Sequence, residues 1–240
     1  MRLGRTNLDV PPVWLGLMGV PESTDQFVEK ALSAKVPLDI STAPGLWGSA
    51  MRGTEAFVTA SGGYDLRNAT DGGHAAILVQ AELVQILSAL GRGHLDIFFL
   101  RVSGRLEEFA IAGALEAISL AREEGLVKFA GIQAFGSVDI IRSIWQFNDA
   151  FDVVMARNNP LAKEPYKAIS GLAEQRDAGV VSCGTLDWGR GAAFVELAPE
   201  GERNDLVKSA IANAGGPVLV GVRTINDIET ALAPEVSEAD

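Results

Sequence analysis

Eight short apolar runs punctuate the chain, at residues 13–19, 37–42, 55–61, 96–100, 127–134, 152–156, 180–184 and 217–222. Each is rich in Val, Ile, Phe and Leu and more nearly continuous than alternating, as strands covered on both faces read. Most are separated by stretches of helical length with apolar residues three and four apart. Ser23 with Gln26 makes a capping box ahead of Phe27, Val28, Ala31 and Leu32. Ser137 caps a helix whose inner face is Ile140, Ile141, Ile144 and Trp145, and Thr224 precedes Ile225, Ile228, Ala231 and Leu232 in the same style. The stretch 43–53 is too short and Gly-rich for a full helix. Gly72-Gly73, Gly189-Arg190-Gly191 and Gly215-Gly216 read as turns, and 233–240 as a frayed acidic tail.

Strand and helix thus alternate about eight times, the count of a closed parallel (β/α)8 TIM barrel. The runner-up, a doubly wound open sheet, usually carries a Gly-rich dinucleotide turn after its first strand. Gly16-Leu17-Met18-Gly19-Val20-Pro21 does not match that fingerprint. At 240 residues, 48% of them hydrophobic, the chain suits one compact α/β domain over 1–240, since such a barrel needs roughly 250.

A net charge of −11 argues against a nucleic-acid partner, which would be repelled. No run approaches the roughly 20 apolar residues that span a bilayer, and the N-terminal residues lack the apolar core of a signal peptide. The single cysteine, Cys183, cannot form an intrachain disulfide, so a cytoplasmic protein acting on a small molecule is expected. Cys183 itself reads as inert core, and no His, Cys or carboxylate spacing suggests a metal. The spacing leaves the oligomeric state open.

Arg2-Leu3-Gly4-Arg5-Thr6-Asn7-Leu8-Asp9-Val10 followed by Leu15-Gly16-Leu17-Met18-Gly19 resembles the opening of bacterial aldo-keto reductases. The likeness continues through Asp39 to Trp47, His94-Leu95-Asp96-Ile97-Phe98-Phe99-Leu100, Gly125 to Phe135, Asp152 to Leu161 and Val218-Leu219-Val220-Gly221-Val222-Arg223. It implies an N-terminal β-hairpin plugging the barrel floor and a mouth bearing an Asp, Tyr, Lys and His tetrad that delivers a proton to a carbonyl. On the matching positions this chain carries Ser41 for the Asp, Leu46 or Trp47 for the Tyr, Ser61 for the Lys and Arg101 for the His. The family's amide contacts to nicotinamide fall on Gln133-Ala134 and Met155. Its phosphate grip persists as Gly221-Val222-Arg223-Thr224, a helix N-terminus beside an arginine. The tetrad is therefore read as lost. No cofactor is expected, with NADP held at a residual Arg223–Thr224 site as the alternative.

Chemistry in this fold sits at the carboxyl ends of the strands. Arg101, directly after an apolar run, is the candidate catalytic residue, a permanently charged fork able to hold a carboxylate or enolate. The competing role is a salt bridge to a loop acid. Ser41, Trp47, Ser61, Gln133, Asn158 and Trp188 are the candidate substrate contacts, with Arg157, Asn159 and Asp187 also at the rim. Asp39 reads as a structural acid and His94 as a floor residue. Three functions follow: a non-redox enzyme (lyase, cyclase or isomerase) on a small carbonyl or carboxylate compound, a divergent NADPH-dependent oxidoreductase with Tyr64 as a distant proton donor, or a catalytically silent binding protein.

Overall fold

The computed structural model of the chain describes residues 1–17, 24–42, 44–159, 164–188, 196–197 and 199–236. Its strands are β1 (Val13–Leu17), β2 (Leu38–Asp39), β3 (Val58–Gly62), β4 (Leu95–Val102), β5 (Val127–Ala134), β6 (Val153–Arg157), β7 (Gly179–Cys183), β8 (Asp187–Trp188), β9 (Glu196–Leu197) and β10 (Val218–Val222). Eight of them close a barrel in the order β1-β10-β7-β6-β5-β4-β3-β2, and β8 pairs with β9 apart from it. Every pairing within the barrel is parallel. The helices are α1 (Thr24–Ser33), α2 (Gly48–Met51), α3 (Gly72–Leu90), α4 (Glu108–Glu123), α5 (Val138–Phe147), α6 (Glu164–Glu174), α7 (Glu200–Asn213) and α8 (Ile225–Val236).

All eight expected strands form. The second shrinks to two residues, and the stretch after it becomes a 3-10 turn (Pro44–Leu46) and the one-turn α2. Ser137 accepts the Ile140 amide as expected, whereas Ser23 lies outside the described residues. Gly72-Gly73 opens α3 rather than forming a turn, because Asp71 accepts the His74 amide at 2.8 Å and caps the helix there. Gly189 and Gly191 lie outside the described residues. Helix α8 runs on to Val236, past the start of the expected tail.

The strands separate two cores. Residues facing outward meet the helices in one large cluster, where Trp47 packs on Phe27. Inward-facing Trp14, Ile97, Phe99, Val153 and Val181 fill the barrel axis. Gly131 makes room there, since a Cβ on it would run into the Phe99 ring. The N-terminal segment forms the expected plug. Arg2 and Asp9 bridge antiparallel, Leu3 donates to Leu8 at 2.8 Å, and Leu3 and Val10 are buried against the axial cluster. Arg5 latches the plug, bonding the Asp149 carboxylate at 3.0 Å and the Phe151 carbonyl at 2.8 Å.

Among the described helices, α3 alone is long and apolar enough to cross a membrane by length and composition. It packs here against α4 and buries Ala75, Val79, Leu83, Ile86, Leu87 and Leu90.

Candidate active site

The parallel register decides which side chains meet at the mouth. Arg101 is level with Gln133, and Gln133 with Met155. Paired residues of parallel strands share a face, so these three inward side chains form a row. Arg101 Nη1 donates to Gln133 Oε1 at 3.4 Å, and Gln133 Nε2 to Met155 Sδ at 3.5 Å. Asp39 is likewise level with Thr59, whose hydroxyl donates to Asp39 Oδ2 at 2.7 Å. The Ser41 amide donates to Asp39 Oδ1 at 3.2 Å. One step higher, the Ser41 hydroxyl donates to Ser61 Oγ at 3.1 Å and accepts the Ser61 amide at 2.9 Å.

Asp39, Ser41, Arg101, Gln133 and Met155 border a cavity of about 220 Å³ at the carboxyl ends of the strands. On the β1–β10 side it is lined by paired Gly16 and Gly221, which supply no side chains at the level of Asp39. Arg101 overhangs it, its guanidinium carbon 5.1 Å from the Tyr64 ring centre and 5.2 Å from that of Phe135. The Arg157 guanidinium carbon also meets Phe135, 4.6 Å from its ring centre. The alternative of a salt bridge from Arg101 to a loop acid is not realised: among the described residues its partners are an amide and two aromatic rings. A fixed cation held by neutral groups beside a cavity is chemically able to pair with an anion.

Asp39 corrects the reading of it as a structural acid turned away from the mouth. Its carboxyl lines the cavity, and burial pushes its pKa up from 3.8, against the opposing bonds from Thr59 and Ser41. Tyr64, on the loop after β3, also lines the cavity. Its pKa is raised by burial while Arg101 pulls it back. Cys183 is buried but borders the cavity rather than the apolar axis alone.

The other expected contacts divide. Ser41 and Gln133 line the cavity, and Ser61 sits behind Ser41. Trp47 does not reach it. Its backbone follows the 3-10 turn, which swings the indole outward to full burial against Phe27. Asn158 lies instead in a groove of about 730 Å³ between α6 and α7, held by its amide bond to the Cys183 carbonyl. The side chains of Asp187 and Trp188 lie outside the described part of the structure. Among the described residues no cluster could hold a metal. His94 stays at the floor beside Asp96 and Lys128.

At the α8 N-terminus the expected phosphate grip is already engaged. Asp227 Oδ2 accepts the Arg223 amide at 2.9 Å and the Thr224 amide at 3.0 Å. Thr224 Oγ1 returns a bond from the Asp227 amide, and Arg203 pairs with Asp227 Oδ1 at 2.9 Å. A phosphate would have to displace an ion-paired carboxylate of its own sign. Thr224 and Asp227 thus bond reciprocally as a capping box does, with an Asp in the place of the usual Glu or Gln.

No family model matches the sequence, and no curated protein does. Solved structures do. An aldo-keto reductase from Bacillus halodurans in its holo form is 15% identical with a TM-score of 0.74, over 97% of this chain and 88% of that one. One from Bombyx mori, in complex with NADP, is 14% identical with a TM-score of 0.72, over 97% and 86%. A glycerol dehydrogenase from Gluconobacter oxydans is 14% identical with a TM-score of 0.70, over 95% and 87%. The chain shares the barrel fold of the aldo-keto reductases.

Proposed function

We propose that this chain is a non-redox enzyme on a reductase-type barrel, a lyase, cyclase or isomerase in class, working on a small carbonyl or carboxylate compound. The observation that carries the reading is Arg101, a guanidinium fixed over the mouth cavity with no carboxylate partner among the described residues. It would hold the negative charge of a substrate carboxylate or of an enolate as it forms. Asp39 is the base. A carboxyl whose pKa is raised toward working pH removes a proton beside a carbonyl better than an ordinary one.

The chain works without nicotinamide in this reading, and its partner is a small molecule in the cytoplasm rather than nucleic acid or membrane. Ser41, Ser61 and Arg101 stand where the resemblance places Asp, Lys and His, Trp47 is buried away from the mouth, and Asp227 fills the amides of the phosphate grip. The second reading, a divergent NADPH-dependent oxidoreductase, draws on the NADP-bound neighbour and on Tyr64 at the rim.

Two measurements decide between them. NADPH fluorescence should stay flat on titration with the protein, and a saturable change lost on Arg223→Ala would restore the reductase. In deuterated water, a panel of three- to five-carbon 2-oxo acids should include members that exchange protons beside the carbonyl. Arg101→Ala should weaken their binding about tenfold or more, the worth of a charged hydrogen bond. Unchanged binding would remove Arg101 from the site.

A further inference from the structure

The loop after β3 is fastened in a way that the anion site alone does not require. Helix α3 holds a single Asp or Glu along its 19 residues, Glu82. That carboxylate turns inward: Oε2 accepts the Gly63 amide and Oε1 the Tyr64 amide at 3.2 Å. Gly63 takes φ +86°, and a Cβ there would crowd Leu100, so the chain reverses at one glycine and presents the next residue to the mouth. That residue is Tyr64. Its ring borders the same cavity as Asp39 and meets Arg101. Resting on the function proposed above, we infer that Tyr64 is a catalytic proton-transfer residue of this mouth and that Glu82 is its positioning residue.

The step balances without a redox partner. Asp39 takes the proton from the carbon beside the substrate carbonyl. The C–H electron pair becomes the C=C bond, and the carbonyl π pair moves to oxygen, which takes the Tyr64 hydroxyl proton. Arg101 holds the resulting tyrosinate, and the reverse transfers restore both groups. In deuterated water the Asp39 carboxyl exchanges its proton with solvent before the return, so the atom delivered to carbon is deuterium.

Charged groups around the phenol make this testable without a substrate. Arg101 favours tyrosinate, while Asp39 and Glu82 oppose it, on top of the burial that raises the phenol pKa. The chain has two tyrosines, and the other, Tyr166, donates to the Ala214 carbonyl away from the mouth cavity. In a Tyr166→Phe background the tyrosinate absorbance therefore reports Tyr64 alone. Adding Arg101→Leu should move its transition up, and adding Asp39→Asn should move it down. A transition indifferent to both would overturn the inference, whatever the substrate proves to be.

The second arm uses 2-oxobutyrate, with binding read by calorimetry and exchange by NMR. Tyr64→Phe should slow exchange about a hundredfold or more, the range of general acid–base contributions, with binding unchanged within twofold. Glu82→Gln should lower the Tyr64 transition because its charge opposes tyrosinate, and should slow exchange with binding and melting temperature held, a combination that a purely structural glutamate would not give. Exchange by Tyr64→Phe within threefold of the parent protein would sink the assignment, while loss of binding on Arg101→Ala would leave the anion site standing.

Discussion

Asp39 shows how one side chain can carry both a cost and a use. Its carboxyl is buried, accepts from the Thr59 hydroxyl and the Ser41 amide, and bonds no cation among the described residues. Because its folded pKa lies above 3.8, its favourable contribution is full below that value and is lost as pH rises through the folded pKa. Asparagine does not titrate. Asp39→Asn should therefore gain stability relative to the parent protein as pH rises, measured by urea unfolding at about pH 3 and about pH 8. A gap that stays constant between the two would mean that the carboxyl is not buried as described. The same variant should lose proton exchange by about 10²- to 10⁴-fold. The residue was within reach of the sequence: Asp39 and Ser41 are two apart in the expected strand 37–42, so a Ser41 at the mouth puts Asp39 on the same face. Tyr64 was harder to place. It lies beyond the last residue of β3, where a strand's period no longer says which way a side chain points.

At the level of elements, the eight strands were legible because two-sided burial keeps the runs predominantly apolar. Lengths were less so, since β2 spends its final residues in a turn whose course depends on tertiary packing against α3. That is also why Trp47 was misplaced: its backbone position at the rim says nothing of an indole swung into the outer core. Helix contacts follow from glycine spacing. On α4, Gly113 lies against the Gly72 carbonyl that begins α3, and a Cβ there would overlap it. Gly113→Ala should cost about 1–3 kcal/mol, the range of overpacking in a tight contact. Gly171, in the middle of α6, has nothing within 4 Å of an added Cβ. Gly171→Ala should instead add about 0.5–1 kcal/mol, the helix-propensity gain. Paired thermal melts check both, and a loss at Gly171 would show that α6 is closed over there.

Across the whole molecule, the two ends of the barrel do separate work, and the axial core stands between them. At the floor, Leu3 is 1% exposed and packs under the column of Trp14, Phe99 and Val153. Arg5 fixes the plug to the start of β6 through Asp149, Asp152 and the Phe151 carbonyl. At the mouth, Arg101, Gln133 and Asp39 hang from strands whose lower halves are already packed by that column. Leu3→Ala should cost about 2–5 kcal/mol, the transfer and cavity terms of a buried leucine. Arg5→Ala should cost about 1–3 kcal/mol by leaving charged hydrogen bonds unmade. Neither substitution touches a group at the cavity, and distant sites behave independently when no partner is shared. Binding of 2-oxobutyrate should accordingly hold within about twofold in both variants under conditions where they remain folded, even as their unfolding midpoints fall. Should binding weaken in step with stability, the layers between floor and mouth are not rigid, and the geometry of Arg101 depends on the plug as well as on its own strand.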